Sequence, residues 1–102
     1  MSGHEFRLSF SNKAFDDLNN IQTYTEITYG SLQKEIYEEK LKEGFAKIAS
    51  MPGIGHRHKY LKEDLRVFNI EKHLVIYQVH EEKQEVVILR ILHKNSDRTS
   101  LF

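Results

Sequence analysis

The chain has 102 residues, no cysteine, and 15 basic and 15 acidic side chains that give a formal net charge of zero. This length suits one domain with a modest core, and 39% hydrophobic with 29% charged residues is typical of a folded protein. The balanced charge excludes a general attraction to nucleic acid or anionic membranes, and the lack of cysteine excludes disulfides, thiolate zinc sites and a cysteine nucleophile. No apolar run approaches the roughly 20 residues that span a bilayer. We expect a single cytoplasmic domain over residues 1–102, with loose ends at 1–4 and 98–102.

The first half of the chain predicts one strand and two helices. Alternating apolar residues over 5–10 indicate a half-buried strand. Ser11 is a predicted cap of the first helix and Gly30 its predicted end. Ser31 is a predicted cap of a second helix, which ends where Pro52 cannot continue it. Because about two residues join the helices, we expect an antiparallel hairpin. The predicted core-facing stripes comprise Ala14, Leu18, Ile21 and Thr25 in the first helix and Tyr37, Leu41, Phe45 and Ile48 in the second.

The second half predicts three strands, near 65–70, 73–80 and 85–93. The short links between them favour antiparallel hairpins. The sequence therefore predicts an α+β fold of order β-α-α-β-β-β, with the helical hairpin packed on one face of the sheet. The last strand is apolar on both faces, so we expect it to be central and covered on both sides.

Two arginines and one histidine on these strands are candidate functional groups. Arg66 and Arg90 could form a cationic patch that binds phosphate or carboxylate bidentately. Alternatively, each arginine pairs with a nearby glutamate or extends to the rim of the sheet. His93, at the end of the last strand, could act as a general acid or base, or could simply cap the strand.

Two short basic segments flank the predicted strands. The first includes Arg57, Lys59 and Lys62, and the second follows the last strand with Lys94 and Arg98. Either segment could bind an acidic partner, although a solvated surface explains them equally well.

The sequence predicts no metal or cofactor. His56 and His58 are spaced like two metal ligands, but no third ligand follows at a suitable spacing, which favours a solvated loop. No glycine-rich phosphate loop, Ser-His-Asp pattern or paired-carboxylate motif is present. The residues by themselves indicate a compact binding module with two modest basic patches.

A series of short motifs runs through nearly the whole chain in a distinctive order. The most specific is Ile88-Leu89-Arg90-Ile91-Leu92-His93 followed by Asp97. By this order and spacing the chain resembles toxins of the RelE/ParE superfamily from bacterial type II toxin–antitoxin modules, and the ParE branch in particular. The other matching motifs are 6–11, Ala14, Asp17-Leu18, Ile21, Tyr29-Gly30, 51–55, 65–68 and 73–77.

The resemblance implies a small α/β toxin that a cognate antitoxin, encoded beside it, holds inactive. Such antitoxins often carry a ribbon-helix-helix DNA-binding portion, as ParD-like antitoxins do. Toxins of the ParE branch are associated with poisoning of DNA gyrase, whereas RelE-type relatives cut messenger RNA on the ribosome. No cofactor is implied.

Several residues favour the gyrase branch. Leu74 stands where ribosome-dependent relatives carry an arginine, and the chain ends in Leu101-Phe102 without their catalytic tyrosine. We therefore expect a gyrase-binding toxin without catalysis of its own. The alternatives are an mRNA endonuclease that uses Arg66, Arg90 and His93, and a non-toxic interaction module of the same fold.

The same resemblance suggests two contact surfaces. For the cellular target we expect Arg90, His93, Lys94 and Arg98. For the antitoxin we expect Arg57, Lys59, Lys62 and Arg66, together with parts of the helical hairpin.

Overall fold

A computed structural model describes residues 5–57 and 65–95 of the chain. Its elements confirm the predicted order β-α-α-β-β-β, although the first strand begins two residues later than expected. Neither helix in these ranges is long and apolar enough to cross a membrane. The elements are β1 (Arg7–Phe10), α1 (Asn12–Tyr29), α2 (Ser31–Ser50), a short 3-10 helix (Pro52–Ile54), β2 (Leu65–Ile70), β3 (His73–His80) and β4 (Glu85–His93).

The four strands form one sheet in the order β1-β4-β3-β2. The pairs β2–β3 and β3–β4 are antiparallel, as the short links predict. β1 runs parallel to β4, with Arg7 opposite Glu85 and Phe10 opposite Ile88. A parallel pair needs a long crossover connection, and here the connection includes the two-helix hairpin. β4 is therefore an interior strand, which confirms its predicted central position.

The start of α1 is joined directly to β4. Ser11 caps the helix as predicted, since its Oγ accepts the Ala14 N–H at 3.0 Å. The same hydroxyl donates to the Leu89 carbonyl at 2.8 Å, and the Ser11 N–H donates to the Ile88 carbonyl at 2.9 Å. One serine thus sets both where the helix begins and where it lies on the sheet.

A single glycine links the two helices. Gly30 ends α1 as predicted, with φ of 96° and its N–H bonded to the Glu26 carbonyl at 2.9 Å. The predicted capping role of Ser31 is wrong, because Gly30 already occupies the N-cap position of α2. Ser31 is instead the first residue of α2, and its hydroxyl donates to the Glu26 carboxylate at 3.0 Å.

The main core lies between the helical hairpin and one face of the sheet. α2 approaches β2 so closely that a Cβ on Gly44 would clash with the side chain of Ile70. The opposite face of the sheet carries a smaller apolar cluster of Val67, Leu74 and Ile76 with Leu92 packed against it, so both faces are apolar, as predicted. The main core contains Ala14, Leu41, Phe45, Ile48, Ile70, Val75, Tyr77, Val86, Ile88 and Ile91.

A β-bulge interrupts the alternation of β4. Ile88 lies opposite Tyr77, but the next residue of β3, Ile76, lies opposite Arg90, so the ladder skips one residue. Simple alternation along a strand would place Ile88 and Ile91 on opposite faces, but both belong to the main core. The extra residue shifts the phase of the strand after the bulge.

The bulge is held by a carboxylate from α1. Arg90 Nε donates to Asp17 Oδ2 at 2.8 Å and Arg90 Nη2 donates to Oδ1 at 3.1 Å. The backbone N–H of Ile91 donates to the same Oδ2 at 2.9 Å. The hydrogen bond to Asp17 raises the pKa of Arg90, against an opposing effect of burial. Asp17 therefore satisfies three donors at the point where β4 departs from regular geometry.

The turn after α2 is fixed by the phenol of Tyr77. This side chain is fully buried, and a buried tyrosine hydroxyl usually has a hydrogen-bond partner. Its hydroxyl donates to the Pro52 carbonyl at 2.6 Å and accepts the Gly55 N–H at 2.8 Å. The hydroxyl thus ties the 3-10 helix to β3.

Replacing Tyr77 with phenylalanine should lower the free energy of unfolding by about 1–3 kcal/mol, because buried partners on Pro52 and Gly55 lose their hydrogen bonds. Urea denaturation measures this change. Tyr24→Phe is the matched control, since 63% of Tyr24 is exposed. Equal stability of the two variants would contradict the assigned role of the Tyr77 hydroxyl.

A double-mutant cycle should show strong coupling between Asp17 and Arg90. With both replaced by alanine, singly and together, we expect a coupling energy of about 1–3 kcal/mol in urea denaturation. The pair Glu26–Lys34, at 3.9 Å and more exposed, is the control and should give roughly 0.5 kcal/mol or less. Coupling for Asp17–Arg90 no larger than for the control would show that the pair does not hold the bulge.

Candidate functional site

The two predicted arginines are engaged by separate partners. Arg66 Nη1 donates to the Gly55 carbonyl at 2.7 Å, and Arg90 is held by Asp17. Each arginine has its own partner, as the alternative expected, but the expected glutamates are wrong: the partners are a backbone carbonyl and an aspartate. The joint cationic patch is not what the structure shows, because both guanidinium groups make internal contacts. Arg66 holds the turn after α2 against β2.

His93 lies at the exposed end of β4 and makes a local capping contact. Its Nδ1 accepts the N–H of Asn95 at 3.1 Å. The exposed Lys94 follows, and its backbone N–H donates to the Lys72 carbonyl at 2.9 Å. These bonds join the end of β4 to the turn between β2 and β3.

The remaining basic residues of the prediction are only partly described. Arg57 is exposed beside His56, which pairs with Val67 at the edge of β2. The edge of the sheet near Arg66 therefore presents at least one exposed cationic side chain. Lys59, Lys62 and Arg98, as well as His58 of the weak metal pattern, lie outside the described residues.

A cleft of about 530 Å³ opens between the helical hairpin and the end of the β3–β4 pair. Its residues come from both helices and both strands and are far apart in the sequence, which is why the sequence did not reveal it. Of the candidate functional residues in the sequence analysis, His93 lines it. Its walls include Asp17, Asn20, Ile21, Tyr24, Thr25, Tyr29, Gln33, Tyr37, Lys40, Glu71, Lys72, His73, Ile91, Leu92 and His93.

Tyr37 and His73 form a hydrogen-bonded pair in this cleft. The Tyr37 hydroxyl lies 2.5 Å from Nδ1 of His73. Burial lowers the pKa of His73 to about 4, and the nearby charges of His93 and Lys72 act in the same direction, against Asp17. Burial also raises the pKa of Tyr37. Both side chains are therefore neutral at pH 7.

The carboxylates of the cleft already have cationic partners. Asp17 binds Arg90, and Glu71 lies 3.9 Å from the ammonium of Lys40. The cationic side chain of Lys72 instead has an aromatic neighbour: its ammonium lies 5.9 Å from the centre of the Tyr29 ring. Within residues 5–57 and 65–95, no group of three or more His, Asp or Glu side chains could hold a metal ion.

An exposed apolar surface, the hairpin patch, surrounds the junction of α1 and α2. Its side chains are large and apolar, and between 42% and 79% of each is exposed. Tyr24 and Tyr29 also line the cleft, so the patch and the cleft are continuous. Contiguous exposed apolar surface with a polar rim is typical of a protein interaction site. The hairpin patch consists of Tyr24, Ile27, Tyr29, Leu32 and Ile36.

Comparisons with known proteins agree with this fold. Residues 8–98 match the family model described as the ParE toxin of the type II toxin–antitoxin system parDE. Toxin ParE1 of Caulobacter vibrioides is 34% identical over 90 residues, which cover 88% of each chain. A solved chain of the chromosomal ParDE system from P. aeruginosa superposes with a TM-score of 0.72 at 19% identity, covering 89% of this chain and 98% of that one. A chain of the RelBE2 toxin–antitoxin complex of Mycobacterium tuberculosis superposes with a TM-score of 0.65 at 16% identity, covering 93% of this chain and 98% of that one. At such identities the solved structures show a common fold, whereas the family match and the curated relative show descent. The chain therefore belongs to the ParE toxin family of type II toxin–antitoxin systems.

Proposed function

We propose that this toxin inhibits DNA gyrase by binding and that a ParD-like, ribbon-helix-helix antitoxin neutralises it. Family membership supports the toxin role, and similar folds have been solved in toxin–antitoxin complexes. The observation that carries the choice of a binding mechanism is the engagement of Arg66 and Arg90 within the fold. A nuclease needs such cations directed at the scissile phosphate.

The end of β4 is the proposed contact with the target. His93 and Lys94 are exposed there, and Arg98 follows in the sequence. Arg90 contributes indirectly, because its pairing with Asp17 holds the strand from which these residues project. A surface of this kind, with cationic groups beside apolar strand residues, suits a protein partner that presents a complementary acidic surface.

The mRNA endonuclease remains the second candidate, and one observation favours it. His73 joins His93 at the end of the β3–β4 pair, so two imidazoles are available for acid–base chemistry. Against it, Leu74 is buried in the cluster on the other face of the sheet, in the position where ribosome-dependent relatives carry an arginine.

The gyrase hypothesis predicts that purified toxin inhibits supercoiling of relaxed plasmid by gyrase and increases the amount of cleaved DNA after protein denaturation. Removal of residues 94–102 should abolish both effects while the circular dichroism spectrum stays unchanged. Lys42→Ser, on an exposed position of α2, is the control and should retain activity.

Three other experimental results would each contradict a different part of the gyrase hypothesis. Unchanged supercoiling at excess toxin, together with new 5′ ends on ribosome-bound message in primer extension, would replace gyrase by the endonuclease hypothesis. No growth defect on expression without antitoxin would favour a non-toxic interaction module. Full activity after removal of residues 94–102 would reject the proposed target surface.

The proposed antitoxin surface combines the hairpin patch with the basic edge near β2. An amphipathic arm can place apolar side chains on the patch and acidic side chains toward the edge. Arg57 is exposed at this edge, and Arg66 lies on β2 beside it. Lys59 and Lys62 add positive charge in the intervening sequence.

Replacing Ile27 and Leu32 with serine should weaken antitoxin binding by roughly tenfold or more, since central apolar contacts contribute most of the affinity at such interfaces. Both side chains are over 70% exposed, so stability should change little. Surface plasmon resonance with the protein encoded beside the toxin gene measures the effect. The matched control replaces exposed Lys42 and Glu43 with serine, which keeps the net charge unchanged.

Reversing the charge of Arg57 tests the electrostatic contribution of the basic edge to antitoxin binding. It should lower the association rate at low salt and have less effect at high salt. Unaltered affinity of the Ile27/Leu32 variant would remove the patch from the interface, and an unaltered association rate for the Arg57 variant would remove the basic edge.

A further inference from the structure

Two histidines face one another across the β3–β4 pair at the floor of the cleft. His73 and His93 are register partners, and their rings are 5.4 Å apart with an angle of 83° between their planes. Both line the cleft. Which nitrogen of each ring carries its proton decides what this pair can bind.

The protonation of His93 follows from a backbone contact. Its Nδ1 is 3.1 Å from the N–H of Asn95. A backbone N–H can only donate, so Nδ1 must accept. The proton of the neutral ring is therefore on Nε2, which is left as a donor.

The tautomer of His73 depends on the direction of its hydrogen bond with the Tyr37 hydroxyl. That oxygen accepts the N–H of Lys72 at 3.3 Å. Its own proton has two acceptors within reach, the Ile70 carbonyl at 3.4 Å and Nδ1 of His73 at 2.5 Å. Donation from Tyr37 to Nδ1 puts the single proton of the neutral His73 ring on Nε2, and this is the arrangement that the proposed site requires.

We propose that His73, His93 and Lys72 form an anion site that binds a carboxylate attached to an apolar or aromatic group. With both Nδ1 atoms occupied by protein donors, the rings offer only Nε2–H groups to a ligand. N–H groups and an ammonium bind a carboxylate through charge-assisted hydrogen bonds. The apolar part of the ligand would lie against Ile21 and Tyr24 in the same cleft.

The charges around the cleft favour an anion over a cation. The two carboxylates in its lining, Asp17 and Glu71, are paired with Arg90 and Lys40. Among the described residues, no carboxylate lies within ion-pair distance of Lys72. A bound carboxylate would offset the positive charge of Lys72 and accept hydrogen bonds from the two Nε2–H groups.

This chemistry can come from two sources, a free small acid or an acidic residue of a peptide. The volume of about 530 Å³ is in the range of small-molecule pockets, and the cleft is also continuous with the hairpin patch. The proposal does not depend on gyrase as the target or on the identity of the antitoxin.

The test is nitrogen-15 NMR of the histidine rings in the full chain, titrated with phenylacetate. We expect Nε2-protonated tautomers for both residues in the free protein and saturable shifts of both when phenylacetate is added. Phenylacetamide, which has the same shape without the charge, should bind roughly tenfold more weakly. His93→Gln should weaken phenylacetate binding by a similar factor, and His80→Gln, at the other end of β3, should leave it unchanged.

Each remaining outcome is decisive. An Nδ1-protonated ring at His93 or His73, equal affinity for acid and amide, or no saturable shift at millimolar phenylacetate would overturn the proposal. If binding occurs, a short peptide ending in phenylalanine distinguishes the sources. Tighter binding of its free carboxylate than of phenylacetate would indicate a peptide ligand, and weaker binding would indicate a free acid. Replacing His73 would also remove its hydrogen bond with Tyr37, so for this residue the test uses the tautomer in the unmodified protein, which does not depend on the folding of a variant.

Discussion

The carboxylate of Asp17 is the constraint on which the arrangement of this molecule depends. It accepts two hydrogen bonds from Arg90 and one from the backbone of Ile91, and so joins α1 to β4 at the bulge. A bulge leaves a backbone group without its ladder partner, and here the helix supplies that partner. The contacts of Asp17 therefore both attach the helical hairpin to the sheet and stabilise the bulge in β4.

The bulge also determines which residues meet at the end of the sheet. Counting back from the pair His80–Glu85 in regular register would place His73 opposite Leu92. The extra residue shifts the partner by one, and His73 lies opposite His93 instead. The histidine pair and the floor of the cleft thus exist because β4 contains the bulge that Asp17 holds.

Much of the fold could be predicted because local signals and long apolar stripes agreed. Ser11, Gly30 and Pro52 marked the helix ends, and short links fixed the antiparallel hairpins. The bulge was missed because no glycine marks it, and the parallel pairing of β1 with β4 has no local signature. The cleft was missed because Tyr37 lies far in sequence from the strands it contacts. Its partners become visible only once α2 is packed against the sheet.

The contacts of Arg90 give it a structural role in β4. Truncating either member of a partly buried ion pair leaves the other charge without compensation, so Asp17 and Arg90 both contribute to the geometry of β4. The same carboxylate acts on the histidines through its field, since Asp17 opposes the effect of burial on the pKa of His73. A change at Asp17 would therefore alter three things together: the bulge, the register of the histidine pair and the charge balance of the cleft. The scaffold and the proposed binding site cannot be varied independently in this protein.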